Sequence, residues 1–222
     1  MHTRSLKVRT AAGMHPRLLI TDHWQLATNH MAFRFDKLTV KAQEAVQRAQ
    51  EIAADRGNPQ IEAIHLLAGL VQETDGIFWP ILDKIGVQRR QLETIVDGEL
   101  KQLPKTSGGA QPQPSQALMH LLEAAQKEAS TMRDEFVSVE HLLLALVKTE
   151  SKAKQVLKLN AVGEEQVMTA LQDVRGSARV EDQNPEGKFQ ALKKYGIDLV
   201  ERARSGKLDP VIGRDQESRR VM

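Results

Sequence analysis

A helical pattern that occurs twice constrains this chain more than any other feature of its sequence. Residues 49–71 are echoed by residues 125–147 at a fixed offset without a gap. After a slip of one residue the echo continues, with residues 91–94 matching residues 166–169. We therefore expect a duplicated unit, whose two copies pack together about a pseudo-twofold axis.

Apolar residues within each copy recur three and four residues apart, as they do in helices with one buried face. The series are Ala42, Ala45, Val46, Ala49, Ile52 and Ala53 in the first copy, and Leu118, Leu121, Leu122, Ala125 and Ala129 in the second. Aromatic residues make up only 4% of the chain, which argues against a β-sandwich. We predict an all-α fold with two pseudo-repeated four-helix units at about 35–102 and 112–175.

Helix boundaries are marked by residues that suit caps and turns. Thr39 and Ser115 stand where an N-cap side chain is wanted, and Gly86 suits a left-handed turn that closes a helix. Proline and glycine between Leu103 and Ser115 predict an exposed connection between the copies.

The composition changes again after the second copy, where residues 179–187 offer almost nothing to bury. We interpret them as an interdomain linker that follows a repeat domain at 31–178. Residues 1–30 are basic and poor in acids. We favour a disordered leader or upstream extension with Met31 as the working start, and keep a mitochondrial transit peptide as the alternative.

Composition also argues against several classes of function. Cysteine is absent, so the chain has no disulfide framework, thiolate metal site or cysteine nucleophile. The net charge is only +2 and both signs are interspersed, which gives no support to nucleic-acid binding. No apolar run approaches the roughly 20 residues that span a bilayer. We expect a soluble protein without a membrane or nucleic-acid partner.

Three stretches of sequence resemble the Clp/Hsp100 family. Residues 35–45 resemble the opening of ClpB N-domains, and the doubled His-Leu-Leu motif at His65 and His141 is similar to the repeat shared by ClpA, ClpB and ClpC. Residues 193–199 and 206–215 look like the beginning of the first AAA+ module of ClpB. The resemblance implies a Clp repeat N-terminal domain followed by a truncated AAA+ opening segment at 188–222.

By this resemblance, the chain is the N-terminal substrate-binding region of an ATP-dependent chaperone that disaggregates and refolds stress-denatured proteins. The implied partners are unfolded or aggregated polypeptides and, through a homohexameric parent protein, a DnaK-type chaperone system in the cytoplasm. Two alternatives stay open. One is the N-domain of a ClpC- or ClpA-like unfoldase that docks adaptors for a peptidase, and the other is a stand-alone adaptor.

The resemblance also implies site residues in both parts of the chain. The N-domain positions implicated in substrate handling correspond to Thr39, Asp134 and Glu140. Each has a plainer interpretation: Thr39 as only a helix cap, Asp134 as a solvated loop acid and Glu140 as a partner of the helix dipole. The first copy has Ile64 where the second has Glu140, which puts a symmetric acidic role in doubt. Adenine contacts in the complete protein are expected from Asp209, Pro210, Val211, Ile212 and Gly213.

We do not expect the chain as given to be an enzyme. It contains no glycine-rich phosphate loop and no acidic Walker B strand, so ATP and Mg²⁺ are expected as cofactors of the parent protein only. His65 and His141 have no metal-ligand spacing around them and are interpreted as structural. Trp79 is interpreted as an anchor that packs a helix connection.

Overall fold

The computed structural model describes residues 33–106, 111–175 and 179–185, together with Arg204 and Gly206. The chain divides into two compact units, Met1–Pro185 and Glu186–Met222, and nearly all described residues belong to the first. The predicted leader at 1–30 lies outside the described residues. So do the adenine-contact residues 209–213 and the rest of the AAA+ opening segment, apart from Arg204 and Gly206.

The first repeat begins with a short 3-10 turn, Phe35–Lys37, and contains four helices. They are α1 (Val40–Asp55), α2 (Ala63–Val71), α3 (Phe78–Ile85) and α4 (Arg89–Lys101). A two-residue strand β1 (Gln60–Ile61) lies between α1 and α2.

The second repeat contains four helices in the same order. They are α5 (Gln116–Thr131), α6 (Val139–Lys148), α7 (Lys152–Leu159) and α8 (Glu164–Arg175), preceded by a two-residue strand β2 (Gln113–Pro114). The described residues thus confirm the all-α class and the duplicated four-helix unit.

Two short parallel backbone pairings relate the repeats. Strand β1 pairs with β2, with Ile61 opposite Pro114, and an isolated bridge joins Leu38 to Val137. Leu38 and Pro114 hold equivalent positions in the two copies, as do Ile61 and Val137. In both pairings, the residues before the first helix of one repeat lie beside the residues before the second helix of the other repeat. A pseudo-twofold axis requires this reciprocity.

The core is one continuous apolar cluster that draws on both repeats. Helices α2 and α6 lie at its centre, because every residue of α2 and nearly every residue of α6 is buried. Trp79 packs at the α2–α3 connection, where its indole N–H donates to the Val71 carbonyl at 3.1 Å. The Arg89 guanidinium lies over the same ring at 4.6 Å, so Trp79 anchors the connection.

Helices α1 and α2 pack closely at Gly69. A Cβ atom built on Gly69 would lie 2.5 Å from the Ala45 carbonyl oxygen, whereas one built on Gly98 in α4 would meet nothing within 4 Å. The second repeat has Ala145 at the position of Gly69, so its helix pair tolerates a methyl group that the first does not.

These two glycines provide a matched pair of substitutions. Gly69→Ala is expected to lower the free energy of unfolding by about 1–3 kcal/mol, because α1 and α2 must move apart. Gly98→Ala is expected to raise it by about 0.5–1 kcal/mol, because alanine favours the helix and adds no clash. Urea unfolding followed by circular dichroism measures both, and equal effects of the two changes would contradict the close approach at Gly69.

Candidate functional site

Both repeats build a buried histidine into the start of their second helix. His65 Nδ1 accepts a hydrogen bond from the Glu62 backbone N–H at 2.9 Å, and His141 Nδ1 accepts from the Ser138 N–H at 3.0 Å. Each histidine stands at the third helical position and completes a capping box, where glutamate or glutamine is usual. Because Nδ1 accepts, the ring proton sits on Nε2 in each neutral imidazole.

The Nε2 protons point to different partners in the two copies. His65 Nε2 lies 3.1 Å from Asn58 Oδ1, and His141 Nε2 lies 3.0 Å from Asp134 Oδ2. Burial lowers the pKa of His65 to about 4, which keeps that ring neutral at physiological pH. The first repeat thus pairs its histidine with an amide, and the second pairs it with a carboxylate.

The carboxylate of the second copy belongs to a buried ion network. Arg175, near the end of α8, donates from Nη2 to Asp134 Oδ1 at 2.5 Å and from Nη1 to Glu140 Oε1 at 3.3 Å. The side chains of Asp134, Glu140 and Arg175 are 0%, 1% and 4% exposed. The equivalent residues of the first copy, Ile64 and Leu100, are buried and apolar. The first copy therefore has Ile64 in place of Glu140 and Leu100 in place of Arg175, so both members of this ion pair are replaced together.

Asp134 is the most strongly coordinated carboxylate at this corner of the fold. Burial by itself would raise its pKa, but hydrogen bonds from His141, Arg175 and the Val180 N–H outweigh burial and hold the pKa well below its usual range. Its side chain is 0% exposed and accepts from three partners, which contradicts its plainer interpretation as a solvated loop acid.

Residues 179–185 lie across this corner in an irregular conformation. The Val180 N–H donates to Asp134 Oδ1 at 2.8 Å, and the Val180 carbonyl accepts from the Glu135 N–H at 2.9 Å. Further along, the Gln183 carbonyl accepts from the Val40 N–H at 2.8 Å. Val40 is the first residue of α1, so its N–H has no acceptor within the helix. Three hydrogen bonds through the segment's main chain thus hold it against both repeats.

The docking of this segment corrects one expectation about the linker. Residues 179–187 were expected to offer almost nothing to bury, yet Val180 is fully buried and Pro185 is buried as well. The physical reason is that main-chain hydrogen bonds to Val40 and Glu135 supply most of the polar contact, so two apolar side chains in a polar stretch suffice to anchor it.

The three predicted substrate-contact residues come together here. Thr39 is the N-cap of α1, and its hydroxyl accepts from the Ala42 N–H at 3.3 Å. Its own N–H donates to the Val137 carbonyl at 2.9 Å, next to the docked segment. The side chains of Thr39, Asp134 and Glu140 are all buried, so they support the shape of the corner. Their direct contact with substrate stays a prediction. Arg175 and Val180, which the sequence did not single out, complete the corner.

The described residues offer little to other kinds of site. They contain no cluster of three or more His, Cys, Asp or Glu side chains that could hold a metal ion. In the same part of the chain, no helix is long and apolar enough to cross a membrane.

The amino-acid sequence is similar to a known family and to curated chaperones. The family described as the Clp repeat (R) N-terminal domain matches residues 37–160. The chaperone protein ClpB of Rhodopirellula baltica is 48% identical over 192 residues, which cover 86% of this chain and 22% of that protein. ClpB of Bacteroides thetaiotaomicron is 41% identical over 85% of this chain and 22% of its own length. The chain thus spans about a fifth of the length of these relatives.

Solved structures share the fold. The Hsp104 N-terminal domain from Candida albicans superimposes with a TM-score of 0.60 at 22% identity, covering 68% of this chain and 99% of that one. A ClpV N-domain in complex with a VipB peptide gives a TM-score of 0.52 at 17% identity, with 62% and 86% coverage. Together with the family match, these findings show that the chain belongs to the Clp repeat family and contains the N-terminal domain of a ClpB-type Clp/Hsp100 chaperone.

Proposed function

We propose that this domain captures exposed stretches of unfolded or aggregated polypeptide for a ClpB-type disaggregase. The observation that carries the proposal is the corner formed by residues 36–40 and 134–137, which holds a short peptide segment mainly through its main chain. Every unfolded protein offers main-chain groups, so such a site suits a chaperone that must accept many sequences.

The ClpB relatives support the same proposal at the level of the whole machine. Their resemblance favours disaggregation over a ClpC- or ClpA-like role in docking adaptors for a peptidase. The related ClpV N-domain was solved with a VipB peptide, which supports peptide uptake by this fold.

The remaining functions of the parent protein are part of the proposal. We expect a cytoplasmic homohexameric ATPase that uses ATP and Mg²⁺, has a coiled coil further along its chain and works with a DnaK-type chaperone system. Residues 209–213 would contact adenine there. These 222 residues would not hydrolyse ATP by themselves, since they contain no phosphate-binding glycine-rich loop.

Fluorescence anisotropy tests substrate capture. Labelled α-lactalbumin that has been reduced and carboxymethylated provides an unfolded client, and the native disulfide-bonded protein provides a folded control of the same sequence. We expect weak, saturable binding of the unfolded form by the full chain and none of the native form. No binding of the unfolded form, or equal binding of both, would contradict substrate capture.

A further inference from the structure

The docked segment 179–185 is held mainly through groups that every polypeptide main chain carries. Its three hydrogen bonds use the Val180 N–H, the Val180 carbonyl and the Gln183 carbonyl, all main-chain groups. Among the segment's side chains, Gln183 Nε2 donates to the Asp36 carbonyl at 3.4 Å, and the Asp182 carboxylate accepts from the Asn184 N–H at 3.0 Å within the segment. The side chains of Glu181 and Gln183 are exposed. The segment buries the side chains of Val180 and Pro185. Recognition therefore requires an aliphatic residue at the Val180 position and an apolar residue at the Pro185 position.

The receiving surface is held together by hydrogen bonds that do not involve the segment, from the Thr39 N–H to the Val137 carbonyl and from the Val137 N–H to the Lys37 carbonyl. It consists of residues 36–40 and 134–137, which the Leu38–Val137 bridge joins into one short parallel pair. The Asp134 carboxylate and the Glu135 N–H face the segment from one side, and the Val40 N–H faces it from the other. The surface thus offers one acceptor, the Asp134 carboxylate, and two donors, the Glu135 and Val40 N–H groups, to the main chain of a bound segment.

The first repeat has a comparable arrangement that cannot open as easily. After α4, the Thr106 N–H donates to the Gly57 carbonyl at 2.8 Å, and the Pro104 carbonyl accepts from Asn58 Nδ2 at 2.8 Å. That stretch leads into β2 and α5, so releasing it would disturb the junction between the repeats. Residues 179–185 instead lie at the end of the first compact unit, Met1–Pro185. They can leave without breaking any helix pair.

We propose that residues 179–185 are an internal competitor, which occupies the client-binding corner until an extended polypeptide with an aliphatic anchor displaces it. The inference rests on the proposed function and adds to it a location, a chemical preference and a regulatory element. Competition of this kind lowers the apparent affinity for client by the fraction of time that the corner is free.

Substitutions of Val180 in the full chain test the competition. Val180→Asp places a charge in a fully buried position and should release the segment, and Val180→Ser is a milder variant should the first fold poorly. Glu181→Ala, at an exposed neighbouring position, is the matched control. We expect the two Val180 variants to bind carboxymethylated α-lactalbumin more tightly, by about tenfold if the corner is free one-tenth of the time in the unchanged chain. The control should bind like the unchanged chain.

A synthetic peptide of residues 179–185 provides the reciprocal measurement. Added in excess, it should displace client from the Val180→Asp chain, and the same peptide with aspartate at the Val180 position should not. Equal client affinity in the unchanged, Val180 and Glu181 chains, or failure of the peptide to compete, would overturn the internal competitor and leave substrate capture standing. No client binding by any of these chains would overturn both proposals.

Discussion

Arg175→Leu is expected to lower the free energy of unfolding by about 3–5 kcal/mol. The guanidinium neutralises two carboxylates, Asp134 and Glu140, whose side chains are 0% and 1% exposed. Without it, two buried carboxyl groups would lose the cation that they share. Urea unfolding of the variant measures the loss. Arg90→Leu, which removes an exposed arginine from α4, is the control and should change stability little.

The first repeat shows how this loss can be repaired. It has Asn58, Ile64 and Leu100 where the second has Asp134, Glu140 and Arg175, and Asn58 still accepts a hydrogen bond from its histidine. Replacing a buried ion network by apolar residues of similar size is often neutral or stabilising.

The triple variant Asp134→Asn, Glu140→Ile and Arg175→Leu is therefore expected to regain most of the stability that Arg175→Leu loses. A triple variant no more stable than the single one would contradict the equivalence of the two junctions. So would an Arg175→Leu chain as stable as the Arg90→Leu control.

Glu73→Gln is expected to make the chain more stable above pH 7, by up to about 3 kcal/mol. Glu73 follows α2, is 1% exposed and presses its carboxyl group against Gly76. Neither carboxyl oxygen has a hydrogen-bond partner among the described residues. Glutamine has nearly the size of the protonated acid and cannot ionise, so it removes the cost of a buried charge.

The pH dependence follows from the pKa of this carboxyl. Burial raises the pKa of Glu73 to about 7 from its ordinary value of 4.5, and the acids Glu44 and Asp75 add to the rise. The cations Arg48 and Lys41 act in the opposite direction but are outweighed. In the window between 4.5 and about 7 the folded chain holds a proton that the unfolded chain has released. The contribution of this carboxyl to the free energy of unfolding therefore falls as the pH rises through the window, and it does not change further above the window.

Unfolding free energies measured from pH 5 to pH 8 test this account. The unchanged chain should lose stability across the window relative to Glu73→Gln. Glu165→Gln, a change at an exposed acid of α8 that does not act on Glu73, should follow the unchanged chain. Identical slopes for the Glu73→Gln and unchanged chains would contradict a buried protonated acid.

Local features of the fold were predictable because local physics determines them. The three- and four-residue spacing identified the helices, and Thr39 and Ser115 cap α1 and α5 as expected, with their hydroxyls accepting from Ala42 and Leu118. Gly86 ends α3 in the left-handed region at φ 92°, as its position indicated.

The candidate site was harder to predict because its parts are distant in sequence. The difference between Glu140 and Ile64 is visible in the sequence, but the partner Arg175 lies 35 residues further on, and its counterpart Leu100 is related to it only after the one-residue slip. Aligning the two repeats position by position would have revealed both halves of the charge pair. Val180 gave no such signal, since one aliphatic residue in a polar stretch has no periodicity, and its contact with Asp134 spans 46 residues.

An NMR titration of the ¹⁵N-labelled full chain with carboxymethylated α-lactalbumin shows directly where unfolded polypeptide binds. The claim that this domain captures unfolded polypeptide at the corner described above predicts saturable shifts concentrated at residues 36–40, 134–137 and 179–185. Native α-lactalbumin should leave those signals unchanged. Absence of shifts, or shifts centred on a different surface of the domain, would contradict it.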